Sequence, residues 1–412
     1  MGQDMLQTRL TLHPLSFVAE SDGVMVGCAE AESYAVFPAD GADLLRHLAD
    51  GMPVADAADW YQATFGESVD IPDFVATLHE LGFVVTGQRH ASSGPVRFQR
   101  LGRALFSPAA WAVYATIAIA TIAVTARYPL LRPRPGNVFF VPSLIVTDLM
   151  LVFAQIPPVL LHEGFHMLAG RRRGIPSRLG VNRRLYYLVA ETHLDGLLGL
   201  PRRQRYLPFF AGMLADVTVF GVLTLIAACT MSNGSLAWPG RLALAIAYPV
   251  LLRVVWQLFV FLRTDPYFAL STALGCTDLA GASAAYIRRR LGRLGRVTHR
   301  NQHPADASEQ VWTPRDQLFA PWFALLTVIG TVSLLALAAV GVVPVLVEFA
   351  RLLASGVAHG TGNAPRFWDS ALALVLIVTQ LVILPFLGGL LGRRTARRRP
   401  EGKPLPEKGT PP

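Results

Sequence analysis

Leu144-Ile145-Val146-Thr147-Asp148-Leu149-Met150-Leu151-Val152-Phe153-Ala154-Gln155-Ile156-Pro157-Pro158-Val159-Leu160-Leu161-His162-Glu163-Gly164-Phe165-His166-Met167-Leu168-Ala169 is an apolar run that closes on H-E-x-x-H. On a helix, residues four apart share a face, so His162 and His166 can present two imidazoles to one metal ion. Glu163 sits one position round and can reach the water on that ion as a general base. Two His, a carboxylate base and an open coordination position are the zinc-hydrolase arrangement. A short motif of this kind also arises by chance on ordinary helices. Ionisable residues are costly inside a bilayer, however, and mark functional sites there by default. Three within five positions of an apolar run point to a metal site rather than to packing.

The rest of the chain supports a membrane setting. Of its 412 residues 52% are hydrophobic and only 16% charged, whereas soluble domains carry about 25% charged residues. The net charge is +9. The basic residues fall in blocks between apolar spans, which is a topology signal and not a nucleic-acid footprint. No nucleic-acid partner is expected. The three cysteines, Cys28, Cys229 and Cys276, are too scattered for a disulfide framework or a metal clip. The start of the chain, Met1 to Leu12, is polar and has no signal-peptide core, so it is expected inside the cell.

The fold expected is a multi-span α-helical membrane protein with about six transmembrane helices and an N-terminal α+β winged-helix domain. The spans run about 106–126, 138–169, 207–229, 242–262, 319–345 and 372–391. Arg171, Arg172 and Arg173 begin one rich block, Arg288, Arg289 and Arg290 another, and Arg397, Arg398 and Arg399 lie in the tail. The alternate connections are poorer in basic residues. The positive-inside rule therefore places the rich loops and both termini in the cytoplasm, as in the inner membrane of a bacterial-type cell. Residues 1–92 form the soluble domain, 93–105 a linker, 106–392 the membrane domain with its core at about 138–275, and 393–412 a basic disordered tail.

Within residues 1–92, Ser16–Glu20, Val24–Cys28 and Ser33–Phe37 read as strands, with a turn at Ser21-Asp22-Gly23. Three helical patterns follow, carrying Leu44, Leu45 and Leu48, then Val54, Ala57 and Tyr61, then Phe74, Leu78 and Leu81. Phe83-Val84-Val85 is a closing strand. Phe37-Pro38-Ala39-Asp40-Gly41, Leu48-Ala49-Asp50-Gly51 and Leu78-His79-Glu80-Leu81-Gly82-Phe83 resemble PqqD-like domains, which bind leader peptides of ribosomally made peptides. The resemblance implies a leader peptide captured by strand addition. A winged helix can equally serve as a purely structural or dimerising module.

Two imidazoles need a third protein ligand at the same depth. The second span runs inward, placing His162 and His166 near its cytoplasmic end. The fourth also runs inward and ends at Phe261-Leu262-Arg263-Thr264-Asp265-Pro266, with Pro266 expected to break the helix. Asp265 is thus the candidate third ligand, and this nitrogen and oxygen set suits Zn2+. Asp265 can alternatively pair with Arg263 or Arg253. Asp216 in the third span can orient a ligand histidine, bind a substrate backbone or pair with Arg253. Gln257 can hydrogen-bond an extended substrate or make an interhelical contact. His193, in the loop facing the site, is an alternative ligand or proton donor, or a solvated histidine.

Over about 150–270 the chain resembles the site-2 protease family of intramembrane zinc metallopeptidases. There, H-E-x-x-H is followed two spans later by N-x-x-P-x-x-x-x-D-G. The same register falls here on Gln257, Val260, Asp265 and Pro266, so the Asp is kept while three positions differ. The intervening A-G-P-x-x-N reads Ala211-Gly212-Met213-Leu214-Ala215-Asp216. The resemblance implies a membrane-embedded metalloprotease in which Glu163 is catalytic and His162, His166 and Asp265 hold zinc. Its substrate would be a peptide or membrane-protein segment near the cytoplasmic face of the lipid bilayer, including a leader-bearing peptide recruited by the N-terminal domain. The alternative is a non-proteolytic peptide-binding, export or immunity protein that retains the scaffold. Membrane di-iron oxygenases need more histidines than this chain offers.

Overall fold

The structure, a computed structural model, describes residues 9–20, 23–28, 31, 33–85, 96–184, 187–194, 197–294, 312–341, 343–358 and 364–379. The expected basic tail, most of the sixth span and the loop carrying His299 and His303 lie outside these residues.

The N-terminal region is built as its alternation requires. Strands β1 (Leu15–Glu20), β2 (Gly23–Cys28) and β3 (Ser33–Phe37) form an antiparallel sheet in that order. Val24, Val26 and Cys28 alternate inward along β2. They meet Leu44, Leu45 and Leu48 of α1 (Ala39–Ala49), Ala57 and Tyr61 of α2 (Val54–Phe65), and Val75 and Leu78 of α3 (Ile71–Glu80). Asp70 caps α3 by accepting the Asp73 N–H at 3.1 Å. The chain leaves α3 through Gly82 at φ +68°, a left-handed conformation that favours glycine. The closing segment does not join the three-stranded sheet. It returns to residues 11–13, with Val85 N–H donating to Thr11 O at 2.8 Å and His13 N–H to Phe83 O at 2.9 Å.

The expected linker is partly helical. Helix α4 (Gln99–Leu105) crosses the later helix α6 (Leu144–Arg171) so closely that a Cβ at Gly102 would lie 2.4 Å from Leu168 O. Helix α5 (Pro108–Arg127) follows, then α6, α7 (Arg202–Cys229), α8 (Trp238–Gln257), α9 (Asp265–Leu274), α10 (Leu279–Leu294), α11 (Pro314–Gly341), α12 (Val343–Ala358) and α13 (Ala364–Val378).

Among the described residues, five helical segments are long and apolar enough to cross a membrane: α5, α6, α7, α8 and the stretch Pro314–Leu352 that joins α11 to α12. A helix of 20 residues spans about 30 Å, the thickness of a bilayer's hydrocarbon core. In α7 and α8, 39% of the apolar window is buried inside the protein, against 6% in α5 and 11% in α11–α12. Helices α7 and α8 are thus the centre of the bundle. Helix α13 covers the described part of the expected sixth span.

Two long-range contacts fix α6 and α8. Asp369 of α13 accepts from Ser143 Oγ at 2.5 Å and from the Leu144 N–H at 2.8 Å, capping the start of α6. Tyr248 of α8 donates its hydroxyl to Gly341 O at 2.5 Å. Between α6 and α7, where a plain loop was expected, β4 (Ser177–Arg184) and β5 (Tyr187–Leu194) form an antiparallel hairpin that packs on α6.

Candidate metal centre

Four segments of the bundle, α6 among them, meet at the last three turns of α6. There His162, Glu163 and His166 are all buried. Helix α7 faces them with Gly212 and Asp216. Helix α8 brings Arg253 and Gln257 and ends at Gln257.

The fourth segment differs from the expectation of one continuous span to residue 262. After Gln257 the chain makes a 3₁₀ turn, Val260–Leu262, and passes through Arg263 at φ +56°. Thr264 Oγ donates back to Gln257 O at 2.7 Å, tying the break together. Asp265 and Pro266 then open α9. Pro266 therefore starts a helix rather than stopping one, because its missing N–H is unneeded in a first turn. The break turns Asp265 toward α6.

Asp265 Oδ2 lies 3.2 Å from His166 Nε2 and 3.4 Å from His162 Nε2, and the two Nε2 atoms are 3.1 Å apart. Each imidazole is oriented from behind. His166 Nδ1 lies 2.7 Å from the Pro208 carbonyl oxygen, and His162 Nδ1 lies 2.9 Å from Asp216 Oδ2. A carbonyl and a carboxylate can only accept, so both Nδ1 atoms donate. In the neutral rings the Nε2 lone pairs then face each other and the Asp265 oxygen. Three acceptors at this range repel unless a cation sits among them.

The spacing suits such an ion. Ligand atoms held tetrahedrally at zinc's bond lengths of 2.0–2.1 Å stand about 3.4 Å apart. Helix α7 leaves the room, since a Cβ at Gly212 would lie 2.2 Å from His166 Nε2 and 2.5 Å from His162 Nε2. Gly164, inside the motif itself, has open space around it.

Asp216 unites two of the roles open to it. Its fully buried carboxylate accepts from His162 and also from Arg253 Nε and Nη2, at 2.9 and 2.5 Å. Gln257 is buried with its Nε2 3.5 Å from His162 Nε2, and its Oε1 has no hydrogen-bond partner among the described residues. A buried acceptor of this kind needs a donor that the described residues do not supply.

His162, His166 and Asp265 are thus brought together, with Asp216 and Gln257 around them. His193 falls on β5 in register with Arg178, and its side chain lies outside the described residues. The roles of Gly212 and of the Pro208 carbonyl were not anticipated. Gly212 leaves a trace in its register with the metal motif. A backbone carbonyl leaves none. No family model, curated protein or solved structure matches the chain.

Proposed function

We propose that this chain is a membrane-embedded zinc metallopeptidase of the site-2 protease kind. Its substrate is a peptide or membrane-protein segment close to the cytoplasmic face of a bacterial-type inner membrane. The observation that carries the reading is the convergence of three acceptor atoms, from segments 99 residues apart, at separations of 3.1 to 3.4 Å.

His162, His166 and Asp265 would hold the ion. When bound, zinc polarises a peptide carbonyl and makes water nucleophilic near neutral pH. Glu163, one residue from the first ligand, accepts a proton from the attacking water and passes it to the departing amine. One peptide bond and one water thereby become a carboxylic acid and an amine. Gln257 Oε1 accepts an N–H from a substrate held in extended form, since a helical peptide has no free N–H to offer. Asp216 holds the His162 ring, and Arg253 holds Asp216. Substrate arrives through the N-terminal domain, where β3 pairs with β2 alone among the described strands and offers its other edge to a leader peptide.

The test is a comparison of membrane-protein termini, by N-terminal labelling and mass spectrometry, in cells carrying the wild type or Glu163→Gln. New termini at the cytoplasmic ends of membrane segments should appear with the wild type alone. Identical termini in the two strains, with both proteins zinc-loaded, would sink the peptidase reading.

A further inference from the structure

Away from the metal centre, a cavity of about 470 Å3 lies between the Val260–Leu262 turn, α10 and the beginning of α11. Its size is within the range of small-molecule sites. Phe261 and Phe323 give part of its lining an apolar wall. The Phe261 ring packs where a Cβ at Gly330 would come within 2.5 Å, so this wall is continuous with α11. On α11, Leu325, Val328 and Ile329 are more than half exposed, as expected of a face against lipid.

The rest of the lining includes polar and basic side chains. Arg263, Arg288 and Trp312 belong to it. The carboxylate of Asp278 is also there, but it is engaged, accepting from Arg263 Nη2 and from the Gly281 N–H at 3.0 Å each. Two guanidinium groups against one carboxylate leave a net positive charge. Ser283 also lines the cavity; it is 2% exposed, and its Oγ has no hydrogen-bond partner among the described residues. The hydroxyl is itself buried, a donor without its acceptor beside the cavity.

We propose that this cavity binds an anionic phospholipid of the cytoplasmic leaflet, with the headgroup phosphate between Arg263, Arg288 and Ser283 and an acyl chain along Phe261 and Phe323. The charge and the orphaned hydroxyl call for a phosphate. The apolar wall calls for a chain attached to it, which a free phosphate does not have. Trp312 supplies an indole, a side chain that favours the headgroup level. The site belongs to the arginine-rich side of the chain, where anionic lipid collects. The proposal rests on the membrane topology given above and is independent of the peptidase chemistry.

The test uses the full chain in nanodiscs of equal phosphatidylglycerol and phosphatidylcholine, released into native mass spectrometry. Phosphatidylglycerol should be retained over phosphatidylcholine. Arg288→Gln and the cavity-filling Ala284→Phe should each lower that retention about fivefold. Arg290→Gln, whose guanidinium stacks on Tyr286 at 5.4 Å, should not. Millimolar inorganic phosphate or glycerol 3-phosphate should leave the lipid in place. Equal retention of the two lipids, wild-type retention in both cavity variants, or displacement by inorganic phosphate alone would each overturn the proposal.

Discussion

Oδ2 of Asp216 stands 2.9 Å from Nδ1 of His162, and the same carboxylate holds Arg253 through Nε and Nη2. One buried anion thus orients a candidate metal ligand and neutralises an arginine within α8. Removing the Asp216 charge leaves the part-buried Arg253 without its carboxylate, at a cost of up to about 3–5 kcal/mol, whereas removing Arg253 leaves Asp216 still held by His162. Asp216→Asn alone should therefore lower the melting temperature and weaken zinc binding by roughly ten- to a hundredfold, the usual loss when a partner behind a ligand is removed. Asp216→Asn with Arg253→Met removes both charges and should recover most of the stability. Thermal melts and chelator competition on the two single variants and the double variant check the coupling.

Gly212 and Gly164 make opposite predictions although both lie close to the site. A methyl at 212 falls among the imidazole nitrogens, whereas one at 164 meets nothing within 4 Å. Gly212→Ala should reduce bound metal severalfold. Gly164→Ala should keep it and gain up to about 1 kcal/mol of helix stability. Metal analysis with melting curves distinguishes the two. Equal metal content in both variants would show that α7 does not approach the imidazoles as described.

At the far end of α6, the cap from Asp369 should matter for stability and not for metal. Asp369→Ala removes acceptors for Ser143 Oγ and the Leu144 N–H and should cost about 1–2 kcal/mol. A lowered melting temperature with unchanged metal stoichiometry is the expected pair of results.

The N-terminal domain carries a pH-dependent contact of its own. Tyr61 donates to Asp40 at 2.5 Å, which holds the Asp40 carboxyl below its ordinary 3.8 and pushes the Tyr61 phenol up to about 12. A lowered carboxyl pKa gives stability that is present above 3.8 and lost as pH falls through the folded value. A raised phenol pKa gives stability that is full below 10 and lost as pH rises through about 12. Tyr61→Phe should thus speed amide exchange in α1 and α2 at pH 7, and its difference from the wild type should shrink as pH falls below 3.8. Exchange measured by mass spectrometry on the full chain at pH 7 and at successively lower pH checks this.

The parts legible in the sequence are those set by local chemistry or by length. His162 and His166 follow from helical spacing, and Asp265 from depth and charge topology. The strands and helices of residues 15–80 follow from their periodicity. The hairpin at Ser177–Leu194 was hidden because its arginines read as a topology signal and its strands alternate weakly. Helix α4 has only seven residues and no apolar stripe long enough to register. The break after Gln257 is hidden because Leu258 to Leu262 is as apolar as the helix before it, so the span reads as running five residues further, to 262. The Arg253–Asp216 pair is among the alternatives the sequence offers, and choosing between them depends on the rotation of two helices about their axes, which hydropathy does not specify.

The central claim is that segments far apart in sequence share one zinc ion. Metal content of the purified chain, by elemental mass spectrometry after dialysis, tests it most directly. About one zinc per chain is predicted for the wild type and for Glu163→Gln, with loss in His162→Ala, His166→Ala and Asp265→Ala. A wild type without zinc, or an Asp265→Ala variant that keeps its full complement, would contradict it.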